Sequence, residues 1–85
     1  MSGIAKLEML RDRLTAHEIL RLRGYSITIG SCGGVIIDRR GHVRGIWQSD
    51  GDRYGWTPAG YSEATHWSSD VEGAVRHTLV VLAAT

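Results

Sequence analysis

A small α+β domain is the fold class this sequence predicts: an N-terminal helix, a three- or four-stranded antiparallel sheet, and a C-terminal helix. Three observations predict it. Residues 25–57 are short alternating or β-branched runs separated by glycine-bearing turns, the pattern of antiparallel strands. Apolar residues spaced by three and four precede that stretch, and a second such stripe follows it. The chain has 85 residues, which suits one domain, residues 1–85.

Ile4, Leu7, Leu10 and Leu14 share one helical face, with Lys6, Glu8, Arg11, Asp12 and Arg13 left for water. Near Thr15 the apolar phase changes. Thr15 with Glu18 three residues on has the form of a capping box, and Leu14 and Ile19 occupy the positions of a hydrophobic staple. These signals predict a break or kink near Thr15, with the helical region ending near Arg23 and Gly24 at the left-handed position beyond it. Tyr25, Ile27 and Ile29 alternate with Ser26, Thr28 and Gly30 in the first strand, and Ser31-Cys32-Gly33-Gly34 makes a turn. Val35-Ile36-Ile37 is the second strand, Arg39 to His42 a turn, and Val43 to Gln48 the third strand, with Val43 and Trp47 expected on one face. Asp50-Gly51 marks the next hairpin, and Arg53 to Thr57 is a short fourth strand that ends at Pro58. Residues 59–68 fit neither period and read as a loop anchored by aromatics. Ser69 with Glu72 forms a second capping box, and Val71, Ala74, Val75, Thr78, Leu79 and Leu82 form the stripe of the last helix. The two helical regions are expected to pack on one face of the sheet.

Composition bounds function. The chain has ten basic and nine acidic side chains, so the strong basic excess of a dedicated nucleic-acid binder is missing. The one cysteine, Cys32, cannot form an intrachain disulfide. The first residues lack the apolar core of a signal peptide, and no run reaches the length of a membrane span. A cytoplasmic protein is expected, with no membrane association.

Candidate chemistry is sparse. Cys32 in Gly30-Ser31-Cys32-Gly33-Gly34 has four histidines elsewhere as conceivable bases, but nothing local pairs it with one, and a turn residue is expected. His17, His42, His66 and His77 lack metal-pair spacing, and Asp50-Gly51-Asp52 lacks the later acidic ligands of a calcium loop, so no metal and no cofactor are expected. No catalytic residues are assigned. Arg39, Arg40, His42 and Arg44 form a compact basic turn that could touch phosphate or an acidic protein surface. Trp47, Tyr54, Trp56, Tyr61 and Trp67, five of the six aromatics, fall within residues 47–67. A thin core uses two or three of these for bulk, while Tyr61 and Trp67 lie in the irregular segment and point to an interface. With Asp50 and Asp52 adding the opposite charge, the expected partner surface is Arg39, Arg40, Arg44, Trp47, Asp50, Asp52, Trp56, Tyr61 and Trp67.

Three family resemblances bear on this. The helix–three strands–helix order resembles that of double-stranded-RNA-binding domains, whose last helix begins with a lysine cluster; this chain has Ser69-Asp70-Val71-Glu72 there. Gly24-Tyr25 followed by Gly30-Ser31 resembles the HicA-type mRNA-cleaving toxins, whose motif continues into a catalytic histidine where this chain has Cys32. In size, class and lack of catalytic motifs the whole chain resembles the small phage- and prophage-encoded proteins that include anti-CRISPR proteins. That resemblance implies steric inhibition of a larger host protein or nucleoprotein complex, such as a CRISPR effector subunit. A non-enzymatic protein-binding inhibitor is therefore the leading expectation. A nucleic-acid-binding domain or RNase toxin is the alternative, and a structural subunit working as a homo-oligomer, a homodimer included, is a third.

Overall fold

Leu7, Leu10 and Leu14 are all buried, and they seat α1 (Gly3–Thr15) on the sheet. The computed structural model describes residues 3–31 and 33–84, so the expectations for Cys32 and for the side chain of Ile4 lie outside the described residues. The helix breaks where the sequence predicts, by a different device. Thr15 closes α1 and caps nothing. Instead His17 is the N-cap of α2 (Glu18–Leu22), and its side chain makes no capping hydrogen bond. No staple forms, because Leu14 is fully buried while Ile19 is half exposed. The new phase turns Leu20 inward to 1% exposure, and that burial is what anchors a helix too short to be stable by propensity. The Arg23 N–H closes the last turn on the Ile19 carbonyl, and Gly24 follows at φ 82°, where a side chain would be strained.

Five antiparallel strands follow in the order of the chain: β1 (Tyr25–Ile29), β2 (Val35–Arg39), β3 (His42–Asp50), β4 (Arg53–Pro58) and β5 (His66–Ser68). Arg40 (φ 55°) and Gly41 (φ 82°) form a two-residue loop with both positions left-handed, the type I′ pattern. In the β3–β4 loop only Gly51 is left-handed (φ 68°), the type II′ pattern. The sequence predicts three or four strands; the fifth lies in the stretch expected to be a loop. His66–Ser68 pairs with Trp56–Tyr54, because three residues suffice for an edge strand yet show no period. The cap of α3 (Val71–Ala83) is Asp70, one residue beyond the expected Ser69: its carboxylate accepts from the Gly73 N–H at 2.7 Å.

Register decides the two faces of the sheet. Tyr25, Ile27 and Ile29 align with Ile37 and Val35, then with Trp47, Trp56 and Tyr54, and all three helices cover this face. Between β2 and β3 the pairing jumps from Ile37–Gly45 to Asp38–Val43, so Arg44 is an extra residue and a bulge forms. The bulge moves Val43 to the face opposite Trp47 and leaves it 46% exposed, correcting the expectation that the two share a face.

Trp47, fully buried on the middle strand, is the centre of the core. Its indole N–H donates to Thr78 Oγ1 at 2.8 Å, and the Thr78 hydroxyl donates to the Ala74 carbonyl, also at 2.8 Å. Tyr54 meets Trp47 edge to face at 6.4 Å, and Trp56 lies 5.3 Å away. The Trp56 ring occupies the space above Gly45 where a side chain would otherwise stand.

Two stability predictions follow from this packing. Thr78→Val leaves the buried indole N–H without an acceptor and is expected to cost about 1–3 kcal/mol in urea unfolding, with Thr78→Ser costing less. Gly45→Ala drives a methyl into the Trp56 ring and is expected to cost about 1–3 kcal/mol in the same measurement.

Candidate functional site

With every helix among the described residues on one side, the other face of the sheet is bare of helices. It carries Ile36 and Ile46 as cross-strand partners, exposed Val43, and the Gln48–Gly55–Trp67 row across β3, β4 and β5. Trp67 lies across Gly55, because a Cβ at that glycine would stand 2.6 Å from the indole Cζ3. The Arg53 guanidinium sits over the same ring at 3.9 Å and also reaches Asp50 at 3.6 Å. The result is an aromatic platform fixed in orientation yet 41% exposed. Beside it, residues 62–64 form one wall of an open groove of about 360 Å3, lined also by Gln48, Asp50, Thr57 and Trp67. Glu63 on that wall and Asp50 put acidic groups at the rim, next to the Arg53 cation.

The nine residues expected to form a partner surface are not brought together. Trp47 (0% exposed) and Trp56 (1%) are core, as is Tyr54, and they are removed from the surface. The reason is register: they occupy the helix-covered face, where a thin core needs their bulk. Tyr61 and Trp67 are exposed, as the sequence suggests. Arg39 is half-buried with its guanidinium 5.4 Å over the Tyr25 ring, Arg40 is exposed at the turn, and Arg44 is the half-buried bulge residue. Tyr61 belongs to this end of the sheet, since the Ala59 N–H donates to the Arg44 carbonyl and the Tyr61 N–H to the Pro58 carbonyl. Asp50 and Asp52 are exposed at the opposite end. The nine residues of β3 separate the two turns by about 25 Å. Arg53, Gly55, Ile36 and Ile46 were not foreseen. The glycine opposite Trp67 was the available signal, and it becomes visible only once β5 is known to pair with β4.

A second groove, of about 500 Å3, runs between β5 and α3 and is lined by His66, Ser69, Asp70, Arg76, His77 and Val80. The His66 and His77 rings stack at 3.6 Å with an interplanar angle of 2°. Stacked rings hold their nitrogen lone pairs parallel, not convergent, so the pair is poorly shaped to chelate a metal. Among the described residues no group of three or more metal-ligating side chains occurs. His77 also meets Trp47 and Trp56 edge to face. Burial, and then the neighbouring His66, lower the His77 pKa below its ordinary 6.5. Burial, followed by the Asp70 charge, raises the Tyr54 phenol above 10.0, and its hydroxyl donates to the Lys6 carbonyl at 3.1 Å.

The sign of the His77 effect is fixed. Below pH 6.5 the unfolded chain binds a proton at this residue that the folded chain resists. Its contribution to stability is therefore complete above that pH and is lost as pH falls toward the lower folded value. His77→Phe, which keeps a ring against Trp47 and His66 but cannot titrate, is expected to lose less melting temperature than the wild type between about pH 7.5 and about pH 5. Equal losses in the two proteins would remove His77 from the acid response.

No protein-family model, curated protein or solved structure matches this chain.

Proposed function

We propose that this chain is a non-enzymatic protein-binding module that inhibits a larger partner by covering one of its functional surfaces, and that the bare sheet face around Trp67 does the covering. One observation carries this: Trp67 is held by Arg53 and Gly55 yet stays 41% exposed, on a face that also carries Ile36, Ile46 and Val43. An oriented aromatic with an apolar centre and a rim of mixed charge is the anatomy of a protein interface. Holding the ring in advance lowers the entropy lost on binding. Asp50 and Glu63 at the rim disfavour a phosphate backbone in the same place. A host protein or nucleoprotein complex, including the CRISPR effectors that anti-CRISPR proteins block, is the partner class this surface suits. No helix among the described residues is long and apolar enough to cross a membrane.

The nucleic-acid alternative draws on the other end of the sheet, where Arg40 and Arg44 stand with the exposed Tyr61. The two readings separate by mutation. Once a partner is captured from host lysate and purified, Trp67→Ala and Arg53→Ala are each expected to weaken its binding at least about tenfold, with circular dichroism unchanged. Arg40→Ala is expected to change it little. Loss at Arg40 with none at Trp67, together with RNA binding that falls steeply with salt, would transfer the function to the basic turn.

A further inference from the structure

Strand β1 is an outer strand of the sheet, and three of the usual protections of an exposed edge, a charge, a proline and a bulge, are missing from it. Its five residues, Tyr25-Ser26-Ile27-Thr28-Ile29, include no charge and no proline, and its pairing with β2 is regular from end to end. Natural edges are normally blunted by shortness, charge, proline or a bulge. The opposite edge is blunted in this way, because β5 is three residues long and leads directly into the cap of α3.

The backbone of β1 is also self-complementary. The Gly30 N–H donates to the Gly34 carbonyl at 2.8 Å, which fixes the phase of the β1–β2 ladder. Residues of an antiparallel strand turn their N–H and C=O alternately to one neighbour and the other. Gly30, Thr28 and Ser26 therefore face β2, and Tyr25, Ile27 and Ile29 point their N–H and C=O at the free edge. Three outward residues are symmetric about the middle one.

We propose that the chain pairs with a second copy of itself through the free edge of β1, antiparallel, with a two-fold axis at Ile27. In that register Ile27 faces Ile27 of the partner subunit, and Tyr25 faces Ile29 of the partner subunit on either side. Every outward N–H then meets a C=O, two hydrogen bonds for each of the three pairs. The same three side chains lie on the helix-covered face, so the apolar layers of the two copies abut. On the bare face Ser26 lies opposite Thr28 of the partner subunit, and no charge is brought against its like. A second copy is the occupant that brings no charge and no proline to the seam, since both strands then carry only Tyr, Ser, Ile and Thr. The proposal is independent of the surface around Trp67.

Analytical ultracentrifugation tests it. The wild-type chain is expected to move with concentration from 9.4 kDa toward twice that mass. Ser26 and Thr28 are both exposed, so changing them leaves the monomer fold intact, to be checked by circular dichroism and melting. Ser26→Lys with Thr28→Lys sets lysine against lysine twice across the axis and is expected to hold the protein at monomer mass. Ser26→Lys with Thr28→Glu sets opposite charges against each other at the same places and is expected to restore the dimer. A wild-type protein that stays monomeric at its highest soluble concentration overturns the proposal. So does a dimer that the double lysine variant leaves intact, or one that the lysine–glutamate variant fails to restore.

Discussion

The hydrogen bond from Trp47 to Thr78 is the constraint from which the rest of the molecule is positioned. A chain of this length has room for few core side chains, so one large indole on the central strand fills the middle of the core. An indole N–H sealed from water must find an acceptor, and α3 supplies it through Thr78. Satisfying it fixes the rotation of α3 about its axis. With Thr78 turned to Trp47, His77 necessarily lies beside it, where it meets both Trp47 and Trp56 and stacks on His66. His66 is the first residue of β5, so a strand too short to hold itself is clamped by a helix on one side and β4 on the other. Trp67 is the next residue, and its place on the bare face follows from the alternation of a strand whose His66 faces α3.

The same logic accounts for two tryptophan–glycine pairs that look alike and do opposite things. On the covered face Trp56 fills the space above Gly45, and the pair is sealed beneath the helices. On the bare face Trp67 lies across Gly55, with Arg53 over its ring and solvent beside it. A glycine in a strand interior weakens the strand, and an aromatic laid over it restores packing that its missing side chain would have given. In one case the recovered contact is core; in the other it fixes a ring in the orientation a partner would meet.

Much of this architecture was legible in the sequence, because it is carried by period and by glycine. Leu7, Leu10 and Leu14 predicted the buried face of α1, the alternation from Tyr25 to Ile29 predicted β1, and Gly24, Gly41 and Gly51 predicted the turns they make. What failed was long-range. Whether Val43 shares a face with Trp47 depends on an extra residue at Arg44, and a bulge leaves no mark in a hydrophobic pattern. Whether His66–Ser68 is a strand depends on β4 as neighbour and α3 as clamp, neither of which a three-residue window contains. The aromatic cluster divided as expected, with Tyr61 and Trp67 exposed and Trp47, Tyr54 and Trp56 in the core, although Trp67 sits on a strand and not in a loop. Trp47 and Trp56 are not interface residues, because nearness in sequence to Trp67 does not put them on its face of the sheet. The break near Thr15 is legible although Thr15 is not the cap, because the change of apolar phase that moves Leu20 inward breaks the helix whatever residue precedes it.

The bare face and the free edge meet in one consequence. Pairing at β1 would make a continuous ten-stranded sheet with β5 of each copy at its two outer edges. The platforms at Trp67 would then lie nine strand spacings or about 40 Å apart, and a twist of roughly 20° per strand accumulates to about a half turn between them, so they would face away from each other. A partner seated on one platform does not reach the other, so the pair offers two separate sites able to join two partner molecules through one dimer. A partner with one site gains nothing from the second platform. The edge that sets the number of copies would thus also set how many partners one assembly holds, without adding a single contact to the surface around Trp67.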